Sequence, residues 1–113
     1  MKEIKATIQP HMLSKVISAL HEMPYFPGLT IFKCEGHGQG TGPGGTFVAT
    51  EDSPFYDSKV RIEIICPDEM ADGIISIILK NAHTGNIGDG IITITNLETV
   101  IRVRTGEKNN AAL

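Results

Sequence analysis

Three glycines are crowded into the segment TGNIGDG at residues 84–90. Gly85, Gly88 and Gly90 permit backbone conformations that other residues avoid, and their N–H groups can converge on an anion. We expect Asp89 to fix the turn or to orient a neighbour. A helix cap followed by a tight turn would use the same residues, so the pattern alone leaves a phosphate-binding loop and a plain turn both open.

Two arginines, Arg102 and Arg104, alternate in a segment predicted to be a strand, so both side chains should point the same way. Two neighbouring guanidinium groups repel each other unless an anion or carboxylates lie between them. A bound phosphate would explain the pair. Solvated arginines at a strand end, matched by Glu63 or Glu98, would explain it as well.

The composition limits the classes of ligand and location. The chain has 113 residues, 41% of them hydrophobic, a formal net charge of −3 and a pI of about 5.7. This balance argues against binding along a nucleic-acid backbone, which requires a basic surface, but it permits a small local anion site. The alternating first residues do not resemble a secretory signal, and no apolar stretch approaches the length of a membrane span. With two cysteines too few for a disulfide framework, we expect a reduced, cytoplasmic setting.

The hydropathy pattern predicts an α+β fold. Period-two alternation indicates strands, and apolar stripes at helical spacing indicate helices. The predicted strands cover residues 2–8, 29–35, 60–66, 91–95 and 98–104, and the helical stripes run over 12–23 and 70–82. Two helices on one face of an antiparallel sheet make a ferredoxin-like βαββαβ sandwich, here with a short extra C-terminal strand. We expect a single domain over 1–113, with a flexible polar tail at 107–113.

One segment is too long for a simple hairpin. Residues 36–59 separate the second and third predicted strands, and six of the twelve glycines fall between Gly36 and Gly45. Connections of this length are usually functional or disordered. The later part carries Phe47 and Phe55, which have no obvious place in a core. We therefore predict an exposed arm that buries these groups against a partner protein.

Residues 84–107, TGNIGDGIITITNLETVIRVRTGE, resemble the C-terminal signature of the P-II signal-transduction family. The opening MKEIKATIQP and residues 59–69, KVRIEIICPDE, are similar to the matching family segments, and 36–59 lies where the family carries its T-loop. The resemblance implies a homotrimeric regulator of nitrogen metabolism, not an enzyme. It also implies an adenine nucleotide in each cleft between subunits, with Mg²⁺ accompanying ATP, and a T-loop that docks on an enzyme, a membrane transporter or a transcription regulator.

The resemblance also favours the phosphate role for the glycine segment and the two arginines, and it points to further residues lining the cleft around the base and ribose. The full set implied to bind the nucleotide is Thr7, Ile8, Thr30, Gly36, Gly38, Gln39, Ile65, Thr84, Gly85, Gly88, Asp89, Gly90, Arg102 and Arg104. The strand residues among them would also suit ordinary packing.

The chain departs from the family pattern at several charged positions. Ile91 stands where the family usually has a lysine, Gln39 where it has an arginine, and His83 where an arginine is common. Gly40 replaces a glutamine that helps to hold 2-oxoglutarate with Mg-ATP, and Asp52 replaces the tyrosine that many bacterial members uridylylate. Because the lost cations would serve a triphosphate most, we expect a preference shifted toward ADP or AMP.

A second hypothesis is a metal- or small-anion-sensing trimer with a vestigial nucleotide site. Four histidines and two cysteines make it conceivable, although none forms the short ligand pair of structural zinc. Cys34 and Cys66 fall within predicted strands, where thiols are usually core residues, and His37 lies at the loop entrance. No arrangement of a nucleophile and a base suggests an enzyme.

Overall fold

The computed structural model describes residues 1–36 and 57–113. In chain order these form strand β1 (Lys2–Ile8), helix α1 (Leu13–His21), strands β2 (Thr30–Gly36) and β3 (Asp57–Cys66), helix α2 (Asp68–Ala82) and strand β4 (Gly90–Asn96). Short 3-10 helices lie at Pro10–Met12 and Asn109–Ala112. This βαββαβ order confirms the predicted ferredoxin-like α+β fold class.

The two central strands form because apolar side chains occupy every second position, which places them on one face of the sheet. β1 buries its even-numbered positions from Ile4 onward, and β3 buries its even-numbered positions from Val60 onward. The buried side chains are Ile4, Ala6, Ile8, Val60, Ile62, Ile64 and Cys66. They make one half of the hydrophobic core.

Both helices contribute the other half of the core. α2 begins after Pro67, whose extended backbone precedes two acids, Asp68 and Glu69, at the positive end of the helix dipole. It ends at Ala82 because His83 has an extended backbone with ψ 129°. The buried helical side chains are Val16, Leu20, Ala71, Ile74, Ile78 and Ala82. They belong to the same cluster as the strand residues, so both helices cover one face.

The sheet is antiparallel throughout, with the strand order β2-β3-β1-β4. Ile8 lies opposite both Val60 and Gly90, and Lys2 lies opposite both Cys66 and Asn96. We call the first row the Gly90 end of the sheet and the second the Asn96 end. The register therefore determines which loops can approach each other.

The second face of the sheet, which we call the open face, is not covered by the two helices. Cross-strand register places Ile91, Thr7, Arg61 and Phe32 in one row on this face. The Arg61 guanidinium lies 5.1 Å from the centre of the Phe32 ring. Arg61 Nε lies 3.3 Å from a Glu63 carboxylate oxygen, forming an ion pair without a well-directed hydrogen bond.

The prediction of a strand at 98–104 was wrong. The segment instead forms a turn, with an isolated bridge between Ile101 and Lys108. Arg102 donates its N–H to the Glu107 carbonyl at 2.9 Å and accepts one from Gly106 at 2.8 Å. Gly106 has a φ of +74°, which reverses the chain before an extended strand can pair with the sheet.

Residues 109–113 fold back along this turn. The Asn109 N–H donates to the Val100 carbonyl at 2.7 Å, and the Asn109 side-chain oxygen accepts from the Val100 N–H at 3.1 Å. Ala112 is only 3% exposed. The flexibility expected for 107–113 stays a prediction, but these contacts give the segment a defined path.

Candidate functional site

The loop between α2 and β4 is closed by a single carboxylate. Asp89 accepts hydrogen bonds from the Thr84 N–H at 2.7 Å and the Gly85 N–H at 2.9 Å, and its other oxygen accepts from the Thr84 hydroxyl. That hydroxyl in turn accepts from the Asn86 N–H at 3.2 Å. Asp89 thus fixes the turn, and the first N–H groups of the loop serve this internal anion.

These hydrogen bonds also determine the protonation state of the loop. The hydroxyl of Thr84 lowers the pKa of Asp89 below its ordinary value, with smaller contributions from the two backbone N–H groups and from His83. Each bond favours the ionised carboxylate. Asp89 is therefore ionised at neutral pH, the form that accepts all three hydrogen bonds.

Glycine is required where the loop enters the sheet. Gly85, Gly88 and Gly90 have φ values of +88°, +101° and +114°. A Cβ atom on Gly90 would overlap the backbone carbonyl of Thr7. The close approach brings Thr7 and Ile8, both predicted to line the cleft, directly against the loop.

Two side chains hold the loop from outside, one in β3 and one directly after the end of β1. Lys59 Nζ donates to the Gly88 carbonyl at 2.6 Å, and Gln9 Nε2 donates to the same oxygen at 2.7 Å. Lys59 places a positive charge beside the glycines. The sequence reasoning missed both residues. The strand register could have indicated the Lys59 contact. Val60 and Gly90 both lie opposite Ile8, and Lys59 directly precedes Val60, so Lys59 lies near the glycine loop.

Ile91 brings no charge to this end of the sheet. Its side chain is 66% exposed, and it borders a groove of about 500 Å³ between α2 and β4. His83, Asp89 and Gly90 line the loop end of the groove, and the remaining lining residues, Ile8, Ile75, Ile78, Leu79, Ala82, Ile92 and Ile94, are apolar.

A second group of predicted residues lies toward the Asn96 end. Thr30 and Ile65 line a pocket of about 340 Å³ together with Glu3, Glu63 and Leu113, and residues 27–29 complete its wall. Arg102 approaches this group through the tail, because its Nε donates to the Ala112 carbonyl at 2.6 Å. Arg102 and Arg104 both lie in the exposed turn, so the predicted alternation along a strand is wrong.

A single chain keeps these two groups apart. Gly90 pairs with Ile8, whereas Ile65 pairs with Glu3, five positions away on β1. At about 3.4 Å per residue, the separation along the strand is roughly 17 Å. The loop residues Thr84, Gly85, Gly88, Asp89 and Gly90 are brought together with Thr7 and Ile8, but Thr30, Ile65 and Arg102 are not part of that cluster.

The remaining predicted site residues belong to the 36–59 connection. Gly36 ends β2 opposite Asp57, beyond the Gly90 end of the sheet. Gly38, Gln39 and His37 lie outside the described residues, and so does most of the predicted T-loop.

Within 1–36 and 57–113, no three histidine, cysteine or carboxylate side chains are grouped closely enough to hold a metal ion. None of the helices in these two ranges has the length and apolar character needed to cross a membrane.

Comparison with known proteins identifies the family of the chain. The family model for nitrogen regulatory protein P-II matches residues 1–107. The chain is 42% identical to a nitrogen regulatory protein P-II of Porphyra purpurea and 39% identical to one of Azospirillum brasilense. It is 38% identical to nitrogen regulatory protein P-II 1 of Escherichia coli K12. Each of these matches spans 113 residues and the full length of both proteins. The resemblance found in the sequence is confirmed, and the chain belongs to the nitrogen regulatory protein P-II family.

Proposed function

We propose that this P-II family regulator binds an adenine nucleotide between neighbouring copies of a homotrimer in the cytoplasm. One copy supplies the glycine loop at 84–90, and its neighbour supplies Arg102, Arg104 and the pocket of Thr30 and Ile65. Occupancy then alters the loop at 36–59, through which the protein regulates an enzyme, a transporter or a transcription regulator in nitrogen metabolism.

The observation that carries the proposal is the separation, within one chain, of two groups of residues that were predicted to bind the same nucleotide. The glycine loop lies at the Gly90 end of the sheet, and the pocket lined by Ile65 lies toward the Asn96 end. A head-to-tail contact between copies brings opposite ends of two identical subunits together, and it forms a ring when the rotation between copies closes. Such a contact would unite the halves that one chain keeps roughly 17 Å apart.

The charges near the loop support a nucleoside mono- or diphosphate as the preferred ligand. Lys59 brings an ammonium group to Gly88, but that group already donates to the Gly88 carbonyl. Ile91 offers an exposed apolar side chain where a lysine would add a phosphate partner. Because each added phosphate group requires further cationic partners, we expect ADP or AMP to bind more tightly than ATP.

Calorimetric titration with ATP, ADP and AMP, with and without Mg²⁺, tests this proposal. We expect micromolar binding of ADP or AMP. We expect at least a tenfold loss, roughly 1.4 kcal/mol, when Arg102 and Arg104 are both replaced by alanine. The matched control replaces two exposed helix lysines, Lys15→Ala with Lys80→Ala, which removes the same charge elsewhere.

Two results would count against the proposal. Failure to bind any of the three nucleotides at millimolar concentration would leave the family fold without its proposed ligand. Equal losses in the arginine and lysine variants would mean that net charge, rather than the two arginines, drives binding.

A further inference from the structure

Arg102 is the better anchored of the two arginines proposed to bind phosphate. Its Nε donates a hydrogen bond to the Ala112 carbonyl at 2.6 Å. Its backbone N–H donates to the Glu107 carbonyl, and its backbone carbonyl accepts from the Gly106 N–H. A guanidinium group has five N–H donors in one plane. The hydrogen bond from Nε to the Ala112 carbonyl fixes the plane of the guanidinium group. The N–H groups on the two terminal nitrogens stay available to an anion.

The carbonyl that holds Arg102 is itself fixed in place. Asn109 and Val100 exchange two hydrogen bonds, at 2.7 and 3.1 Å, which attach the beginning of the 3-10 helix Asn109–Ala112 to the turn. Ala112 is 3% exposed, so its backbone is packed against the domain. A fixed acceptor reduces the number of orientations that the Arg102 side chain can adopt, and this lowers the entropy lost on binding.

The next residue reaches the other half of the same site. Leu113 lines the pocket that contains Thr30 and Ile65, the residues proposed to contact the base. Leu113 is 40% exposed, and with Ile65 it gives the pocket apolar surface suited to a flat aromatic ring. Two consecutive residues therefore contact both parts of the proposed site: Ala112 contacts Arg102, the proposed phosphate partner, and Leu113 lines the proposed base pocket.

We infer that Ala112 and Leu113 are positioning residues of the ligand site: the Ala112 carbonyl orients the Arg102 guanidinium toward phosphate, and Leu113 forms an apolar wall for the base. This inference rests on the proposed function. It adds a role for the 109–113 segment, which makes none of the contacts proposed from the sequence.

The test compares ADP affinity by calorimetry in the wild type, in a deletion of residues 110–113 and in Leu113→Ser. The deletion keeps Asn109 and the bonds that hold the turn. We expect ADP to bind about tenfold more weakly after the deletion and about threefold more weakly in Leu113→Ser. Ala111→Ser, at the exposed position just before the two contact residues, should bind as the wild type does.

A double-mutant cycle separates positioning from a general loss of structure. Arg102→Lys removes the planar fork that the Ala112 carbonyl orients. In that background, deleting 110–113 should cost much less ADP affinity than it costs in the wild type, because the two changes remove the same interaction.

Each alternative outcome has a distinct meaning. If the wild type binds no adenine nucleotide, the proposed function fails. If the wild type binds ADP and the deletion or Leu113→Ser binds it equally well or more tightly, the proposed function stands and the positioning role is overturned. Full additivity in the cycle would also overturn the link between Ala112 and Arg102.

Discussion

Gly90 lies where β4 begins to pair with β1, and its position limits how closely the glycine loop can approach the sheet. Its φ is +114°, and a side chain there would overlap the Thr7 carbonyl. Gly28 has a similar φ of +105°, but nothing lies within 4 Å of the position of its missing Cβ. Alanine substitution at Gly28 therefore measures the free-energy cost of an unfavourable φ alone, and substitution at Gly90 adds the cost of steric overlap with Thr7.

We expect Gly90→Ala to destabilise the protein by more than about 3 kcal/mol, since backbone strain and overlap with Thr7 act together. Gly28→Ala should cost only about 1 kcal/mol, the cost of a positive φ for alanine. Urea unfolding followed by circular dichroism measures both losses. Equal losses would show that a small backbone shift relieves the contact with Thr7.

Ile91 provides a test of ligand preference at a single residue. Ile91→Lys would add an ammonium group beside the glycine loop, and we expect ATP affinity to rise about tenfold while AMP affinity changes little. Ile91→Gln adds polarity without charge and serves as the control. Titration with ATP and AMP measures the ratio. An equal gain for both nucleotides would argue that the residue does not lie near the terminal phosphates.

At the scale of elements, the loop between α2 and β4 depends on the charge of Asp89. The Thr84 hydroxyl and two backbone N–H groups lower the pKa of Asp89 from its ordinary value of 3.8. The unfolded chain therefore binds a proton more readily than the folded loop. The stability that Asp89 contributes is complete above its ordinary pKa, and it is lost as the pH falls through the lower folded value.

Thr84→Val removes the largest cause of this shift and keeps the backbone donor. We expect the pKa of Asp89, measured by NMR titration of its carboxyl carbon, to lie below 3.8 in the wild type and to rise in Thr84→Val. Thr95→Val, at an exposed position elsewhere in the sheet, should leave it unchanged. A wild-type value at or above 3.8 would mean that the loop is not closed by Asp89 in solution.

Regular elements were predictable because their hydropathy period was clear. β1 matches its predicted span, and β3 and both helices differ mainly at their ends. The strand prediction at 98–104 was wrong because residues around Arg102 alternate as they do in a strand. The turn at Gly106 prevents this segment from pairing with the sheet.

The candidate site was predictable only in part. The glycines and Asp89 are close in sequence, so their pattern can be recognised directly. The contact of Lys59 with Gly88 joins residues 29 positions apart, and the contact of Arg102 with Ala112 requires a chain reversal. Both depend on strand register or turn geometry, which residue types alone do not specify.

At the scale of the whole molecule, one chain leaves several surfaces available for assembly. The open face carries Phe32 and Ile65, and the edge strand β4 exposes Ile91 and Ile94. Edge strands and uncovered sheet faces are common contact surfaces between subunits. The proposed composite site requires a ring in which each glycine loop lies beside the arginines of its neighbour.

Subunit mixing tests this composite site most directly. Asp89→Ala weakens the loop half, and Arg102→Ala with Arg104→Ala weakens the arginine half, so each variant alone should leave its sites mostly empty at an ADP concentration that just fills the wild-type sites. In equal mixtures refolded together, about one quarter of the interfaces in a heterologous ring unite an intact loop with intact arginines. We therefore predict ADP binding to about a quarter of the wild-type number of sites, with native mass spectrometry confirming mixed trimers. Mixed trimers that bind no ADP would contradict a site shared between subunits.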